Sequence, residues 1–363
     1  MYGCKFMLFS PYPKTKREEL FDREKELEEL KKAIESGERL ILLLGLRRLG
    51  KSSLLNVALG ELSYPSIKVD VRKTYSEFSS VNRYVVGRML LSAISGKLEE
   101  AKNFLRRVKG ISISGVRIDV SPRDFSIVEL LEALNDYGER TGRVIIAFDE
   151  AQYLRFGGAT RYDGILAYAI DNLDNLTFIL TGSEVGLLFD FLKFNEPGAP
   201  LFGRYHHDII LEKFNSEMSA EFLEKGFEEM RFKVSELEIE KAVEELDGIV
   251  GWLTLYGYIR VTRKVKHEDA MEEILREARL ILSTELSRLF SYSPRYKGIL
   301  KAISLGYSRW RDIKDYLTLK LGYINDSNFS SLLENLVKSG YVEKRNGRYK
   351  ISDPVLERVF REL

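Results

Sequence analysis

The chain has 363 residues, 44% of them apolar and 31% charged, which is room for two or three domains with a substantial core. Its 56 Lys+Arg against 55 Asp+Glu leave a formal net charge of +1, so bulk charge selects no polyanionic partner. The single cysteine, Cys4, excludes an intrachain disulfide framework and a thiolate metal cluster, and His206, His207 and His267 lack zinc-ligand spacing. Residues 1–13 do not have the layout of a signal peptide and no stretch reaches membrane-spanning length, so a cytoplasmic chain with no membrane partner is expected. Charge is unevenly spread: residues 291–363 hold 14 Lys+Arg against 8 Asp+Glu, a basic segment on an acidic body.

In chain order, Glu18 to Gly37 reads as a helix from the spacing of Leu20, Phe21, Leu27, Leu30, Ala33 and Ile34. The apolar run Leu40 to Leu44 then stops at Gly45, and Gly45-Leu46-Arg47-Arg48-Leu49-Gly50-Lys51-Ser52-Ser53 matches the phosphate-loop pattern between a strand and a helix. Glycines let the backbone wrap a phosphate, and the amides of this segment point at an anion at the start of the next helix. Lys51 is expected to reach the β- and γ-phosphates, and Ser52 to ligate Mg²⁺. The helix extends from Lys51 to about Leu62. Ile67 to Val71 alternates as a second strand, and Ser79 to Leu105 is expected to be helical. Alternation of Ile111, Ile113, Val116, Ile118 and Val120 around Gly115 predicts a β-hairpin, and Ser126 to Thr141 a helix.

Val144 to Phe148 reads as a parallel strand buried on both faces, and it ends in Asp149-Glu150 about a hundred residues after the phosphate loop. Asp149 is expected to hold Mg²⁺ directly or through water, and Glu150 to polarise the attacking water. A further strand, Asn175 to Thr181, ends in Thr181-Gly182-Ser183-Glu184, whose polar residues either sense the γ-phosphate or, as Ser183 and Glu184, cap the next helix. Asp208 to Leu211 is a fifth strand. Arg204, just before it, is expected near the same sheet edge, as an arginine finger or as a surface ion-pair residue.

From Ser216 the chain is helical, with a capping box Ser235-x-x-Glu238 and an amphipathic helix Glu268 to Phe290. Residues 294–363 predict helices at Arg295–Leu305 and Arg309–Leu319, and a third capped near Asp326 or Ser327. Two strands joined at Asn346-Gly347 follow, which together describes a winged helix-turn-helix. Its basic wing (Lys344, Arg345, Arg348, Lys350) suits phosphates, while the outer face of the third helix (Asn328, Ser330, Ser331, Glu334, Asn335, Lys338) is only weakly basic. Double-stranded DNA and a protein partner both remain open for residues 291–363.

These motifs resemble the archaeal ATPase family of phosphate-loop NTPases, related to signal-transducing ATPases with numerous domains and, more distantly, to origin-recognition ATPases. The resemblance rests on Phe21-Asp22-Arg23-Glu24-Lys25-Glu26-Leu27, the phosphate loop, Phe148-Asp149-Glu150-Ala151-Gln152, Leu180-Thr181-Gly182-Ser183 and Leu201-Phe202-Gly203-Arg204. It implies an α/β fold: a parallel-sheet core of the additional-strand catalytic-glutamate type, a helical lid and a C-terminal winged helix. The catalytic-glutamate strand is expected next to the phosphate-loop strand. The implied division is a 1–16 extension, a 17–213 core, a 214–290 lid and a 291–363 winged helix. It implies ATP/ADP with Mg²⁺, with Leu20 to Asp22, Phe21 above all, near adenine. Where the family carries a Gly-x-Pro turn in its lid, this chain has Gly248-Ile249-Val250-Gly251-Trp252. The function expected is a slow Mg-dependent ATPase acting as a switch that couples hydrolysis to DNA or partner binding. The alternative is a DNA-binding regulator whose nucleotide is mainly structural.

Overall fold

An apolar run with no polar residue has no face to give to water and needs cover on both sides. Leu40–Leu44 (β1) is such a run, and all five residues are buried. The computed structural model describes residues 8–95, 102–114, 117–121 and 124–362. Its further strands are Ser66–Asp70 (β2), Ile111–Ser114 (β3), Arg117–Val120 (β4), Val144–Asp149 (β5), Leu176–Gly182 (β6) and His207–Ile210 (β7). Five of them form a parallel sheet in the order β2-β5-β6-β1-β7.

The sheet order corrects one expectation. The strand ending in Asp149-Glu150 does not adjoin the phosphate-loop strand, because β6 lies between them, pairing Leu180 with Leu42 and Ile179 with Ala147. Burial separates edge from interior: every residue of β1, β5 and β6 is buried, so these three take interior positions, whereas β2 buries only Ile67 and Val69 and β7 only Ile209, and these two take the edges.

Helices flank the sheet, and their apolar faces join its core: Leu54 and Leu55 are buried on Lys51–Glu61, and Leu130, Leu131 and Leu134 on Ile127–Thr141. Three local readings change. The expected helix from Glu18 is a short turn at Arg17–Glu19 and a helix at Glu24–Glu35, interrupted by Asp22 in a left-handed conformation. Val71 belongs to a helix, Val71–Phe78, because the Asp70 side chain ends β2 by accepting the Lys73 N–H. The stretch from Ser79 holds helices Arg83–Ser95 and Lys102–Leu105, with 96–101 outside the described residues. In the hairpin, Ile111 pairs with Val120 and Ile113 with Ile118, while Gly115 and Val116 lie outside the described residues, as does Cys4.

The chain groups into two compact units, one of residues 23–45 and 51–211, the other of residues up to 22, 46–50 and 212–363. The second unit is built on helices Ser216–Glu229, Glu236–Leu246, Val250–Arg263 and His267–Glu285. Ser235 caps as expected, accepting the Glu238 N–H, but the long amphipathic helix ends at Glu285, and Ser287–Tyr292 forms a separate one. Phe9 plugs this unit: a Cβ on Gly226 or Gly257 would lie 2.3 Å from its ring.

The winged helix comprises helices Arg295–Ser304, Trp310–Leu321 and Asp326–Lys338, then Val342–Arg345 (β8) and Arg348–Ile351 (β9). The third helix is capped by Asn325, whose side chain accepts the Asn328 N–H, rather than by Asp326 or Ser327. Asn346 and Gly347 both have positive φ, +50° and +74°, as the tight hairpin turn requires. A further helix, Pro354–Glu362, was not expected; Asp353 accepts the N–H groups of Val355 and Leu356 at its start. Among the described residues no helix is long and apolar enough to cross a membrane.

Candidate active site

β1 delivers the chain to Gly45, whose φ of +142° and surroundings admit only glycine: a Cβ there would lie 2.5 Å from the Leu211 carbonyl oxygen. Leu211 is fixed in turn by its N–H, which donates to the Leu44 carbonyl at 2.8 Å. The turn continues through Arg48 (φ +66°) and Gly50 (φ +92°) into the helix that starts at Lys51. Leu49 is buried and anchors the turn, while Leu46, Arg47, Arg48 and Gly50 are half-buried. Lys51 is buried, and its Nζ donates to the Gly45 carbonyl at 2.8 Å across the base of the loop.

Ser52, one residue on, donates from Oγ to Asp149 Oδ2 at 2.9 Å. The first turn of the phosphate-loop helix is thereby tied to the carboxyl end of β5. Asp149 also pairs with Lys68 Nζ on β2 at 3.0 Å and accepts from Thr181 Oγ1 on β6 at 2.5 Å. Burial alone would raise its pKa, but the Lys68 ammonium and the donors Thr181 and Ser52 outweigh it and hold the carboxyl below the usual range.

Glu150 has φ +56°, unusual for a residue with a side chain, and its N–H donates to Thr181 Oγ1 at 3.0 Å. Its Oε2 accepts from Gln152 Nε2 (2.6 Å), Ser183 Oγ (2.7 Å) and the Ser183 N–H (3.3 Å). Again burial pushes the pKa up, and again it loses. The charges of Lys51 and Arg72 and the Ser183 and Gln152 hydrogen bonds keep Glu150 below the ordinary glutamate value. Both carboxylates are therefore ionised at neutral pH.

Lys68 and Gln152 carried no role in the sequence, and Thr181 was read only as one of the polar residues that could sense the γ-phosphate. Lys68 takes an ordinary polar position in the alternation of β2 and carried no signal, whereas Thr181 closes an apolar run as a polar residue and was the one signal available. Ser183 grips Glu150, and no side chain caps the following helix, Val185–Leu192.

Arg204 requires a correction. Because β7 runs parallel to β1, the residues before it lie at the amino edge of the sheet. There Arg204 forms a bidentate pair with Asp171 (Nε–Oδ1 2.9 Å, Nη2–Oδ2 2.5 Å), beside the charge of Arg39, the residue preceding β1. At about 3.3 Å per residue the length of β1 separates that edge from Gly45 and Lys51. Phe21 sits edge-on to Phe214 and Phe222, with the Lys225 ammonium over its ring.

A family described as an ATPase domain predominantly from Archaea matches residues 20–255. The chain belongs to this archaeal ATPase family. The C-terminal winged helix-turn-helix domain of MCM proteins matches residues 291–352 of the same ATPase. The Walker-type ATPase of Pyrococcus abyssi is 43% identical over 98% of this chain and 99% of its own, with a TM-score of 0.88. Far weaker likenesses are the ORC1 protein of Aeropyrum pernix in complex with DNA (18% identity, 99% and 96% of the two chains, TM-score 0.43) and the RuvB Holliday junction branch migration motor of Thermotoga maritima (13%, 99% and 100%, TM-score 0.45). The comparison with curated proteins gave no match.

The residues of this archaeal ATPase suit a nucleotide with Mg²⁺. The glycine cradle leaves no room for a Cβ at Gly45, and Ser52 and Asp149 bring a hydroxyl and a carboxylate oxygen together. Among the described residues no cluster of three or more His, Cys, Asp or Glu could hold a metal by itself. Mg²⁺ keeps waters and takes phosphate plus one or two protein oxygens, which a hydroxyl and a carboxylate can supply.

The ATPase's lid segment meets the loop without the family's proline. The Gly251 N–H donates to the Arg48 carbonyl at 2.9 Å, and a Cβ on Gly251 would lie 2.7 Å from that of Arg48. The Arg48 guanidinium lies 3.8 Å over the Trp252 ring, and Trp252 Nε1 donates to Asp353 at 2.7 Å. Arg47 turns to the winged helix, donating to the Ser339 carbonyl at 3.0 Å and lying 4.5 Å over the Tyr341 ring.

Proposed function

We propose that this ATPase is a slow, Mg-dependent switch in which the state of the nucleotide is felt by the winged helix through Arg47 and Arg48. The observation that carries this reading is the double engagement of the loop. The segment that must offer its amides to phosphate is the one whose arginines hold Ser339, Tyr341 and Trp252. Ordering those amides around an anion then favours one arrangement of the arginines over another, and two events that share one element are coupled. The division would be a core of 17–213, a lid of 214–290 and a winged helix of 291–363.

In this reading Gly45 to Ser53 line the phosphates and Lys51 leaves the Gly45 carbonyl for them. Phe21 stands near adenine. Ser52 and Asp149 would hold Mg²⁺, whose charge offsets that of the phosphate oxygens. Glu150 orients and polarises the attacking water, positioned by Ser183 and Gln152. Arg204, at the far edge of the sheet, enters this reading only across to a second copy of the chain.

The winged helix would meet double-stranded DNA, with the exposed Lys344, Arg345, Arg348 and Lys350 on phosphates. The test is duplex affinity at fixed salt with ADP and, in a Glu150→Gln protein, with ATP. A several-fold difference that Arg47→Ala abolishes supports the switch. Affinity equal in both states refutes coupling and favours a DNA-binding regulator with a structural nucleotide. Absence of DNA binding would turn the winged helix towards a protein partner.

A further inference from the structure

The winged helix carries a second concave feature that the reading above leaves unused. A cleft of about 550 Å³ lies among the start of helix Arg295–Ser304, the turn before helix Asp326–Lys338 and that helix itself. That is within the ~300–1,000 Å³ span of small-molecule sites. Asn328, Ser331 and Asn335 line it from one face of the helix, at the three- and four-residue spacing that stacks side chains in a row. Tyr292 and Tyr323 line it too, yet remain 82% and 77% exposed. Arg295 ties the cleft together: Nη2 donates to the Tyr323 carbonyl at 2.8 Å, while Nη1 is buried with no partner.

The lining chemistry narrows the occupant. A phosphate site would gather cations, and here there is one guanidinium, already half-engaged. A groove for an apolar helix would present aliphatic side chains, and Ile324 and Leu332 alone do so. What the cleft offers is aromatic surface beside the Asn328 amide and the oxygens of Ser331 and Asn335. Those oxygens can accept while the Ser331 hydroxyl donates to the Ser327 carbonyl and the Asn335 amide to the Tyr296 hydroxyl. That combination suits a nucleobase, which has π-faces to stack and an edge to hydrogen-bond. In a duplex both faces are stacked and the pairing edge is used, so only an unpaired base has them to give.

We infer that this cleft takes an unpaired nucleobase of a DNA strand where the strand leaves a duplex, the duplex arm lying on the basic wing. The inference rests on the DNA reading of the winged helix and names which DNA.

The test uses the full chain and two labelled DNAs at one salt concentration, a blunt duplex and the same duplex with a short single-stranded tail whose first base is 2-aminopurine. The tailed DNA should bind about fivefold to a hundredfold tighter, the range for one stacked base, and 2-aminopurine emission should fall on binding. Tyr292→Ala and Tyr323→Ala, at exposed positions, should remove the preference and leave blunt-duplex affinity within about twofold, while Tyr323→Phe should keep it. Equal affinity for the two DNAs, or a preference that survives both alanine variants, overturns the cleft assignment alone. Competition by free dAMP at the tail's own affinity overturns the strand in favour of a small nucleotide. Binding of neither DNA overturns the DNA reading itself and the inference with it.

Discussion

Replacing Glu150 by Gln keeps its shape and its place beside Ser183 while removing the charge that polarises water. Nucleotide binding should persist and turnover fall by about 10²–10⁴-fold, the usual share of one acid–base group. Lys51→Ala should instead lose nucleotide binding, read by direct titration. Turnover in Glu150→Gln comparable to the unmodified protein would remove Glu150 from the chemistry. The neighbouring Asp149 leans on Lys68, so Lys68→Met should cost about 1–3 kcal/mol at neutral pH, as hydrogen bonds to charged groups do. A carboxyl whose folded pKa is depressed stabilises above its unfolded value of ~3.9, and that contribution goes as pH falls through the folded value below it. The gap between the two proteins in urea unfolding should thus narrow from pH 7 to pH 3. A gap that is constant with pH would mean that Lys68 acts through packing or through its hydrogen bond to Asn56, and not through Asp149. Asp149-Glu150 at the end of an apolar run was legible at this scale, because strand and acids are contiguous in the chain. Lys68 and Thr181 were not, because their roles exist only once β2 and β6 flank β5.

At the scale of elements, the phosphate loop is held by backbone geometry as much as by composition. Gly45→Ala combines a φ of +142° with a contact to the Leu211 carbonyl. It should destabilise by at least about 1–3 kcal/mol, the cost of a strained residue, and impair nucleotide binding, both visible in thermal melts with and without ATP. A variant as stable and as responsive to ATP as the original would show that the loop tolerates another path. Loop, hairpin turn and capping box were all readable because each is set by residues within a few positions of one another. The strand order was not, since β1, β5 and β6 are all apolar runs buried on both faces, and nothing local to the chain says which of them pair. Arg204 was misplaced for a related reason: a residue before a parallel strand starts at the amino edge, however near in sequence it lies to the carboxyl-edge motifs. The Pro354–Glu362 helix was missed although Asp353-Pro354 is a helix-start pair and Val355, Leu356, Val359 and Phe360 recur at helical spacing; Asp353 is its buried cap, held by Trp252.

For the molecule as a whole, the archaeal ATPase assignment leaves the coupling of its parts as the open physical question. The sequence announced an ATPase core and a winged helix, and it pointed to Gly248–Trp252 as a lid turn lacking proline. It did not announce that Arg47 and Arg48 engage Ser339, Tyr341, Gly251 and Trp252, because such pairs are 200 to 300 residues apart in the chain. Reciprocity makes the consequence measurable: if nucleotide changes DNA affinity, DNA changes nucleotide affinity by the same factor. Neutralising Arg345 and Arg348 together should weaken duplex binding and flatten its salt dependence, without altering ATP binding in the absence of DNA. Affinity and salt slope both unchanged would take the wing out of any DNA contact. The measurement that bears most directly on coupling is steady-state ATP turnover with Mg²⁺, with and without saturating duplex DNA, in the unmodified protein and in Arg47→Ala, with Glu150→Gln as the blank. A several-fold change on adding DNA that disappears in Arg47→Ala is the outcome expected of a switch that runs through the phosphate loop. Turnover indifferent to DNA in the unmodified protein, or a DNA effect undiminished in Arg47→Ala, would contradict it.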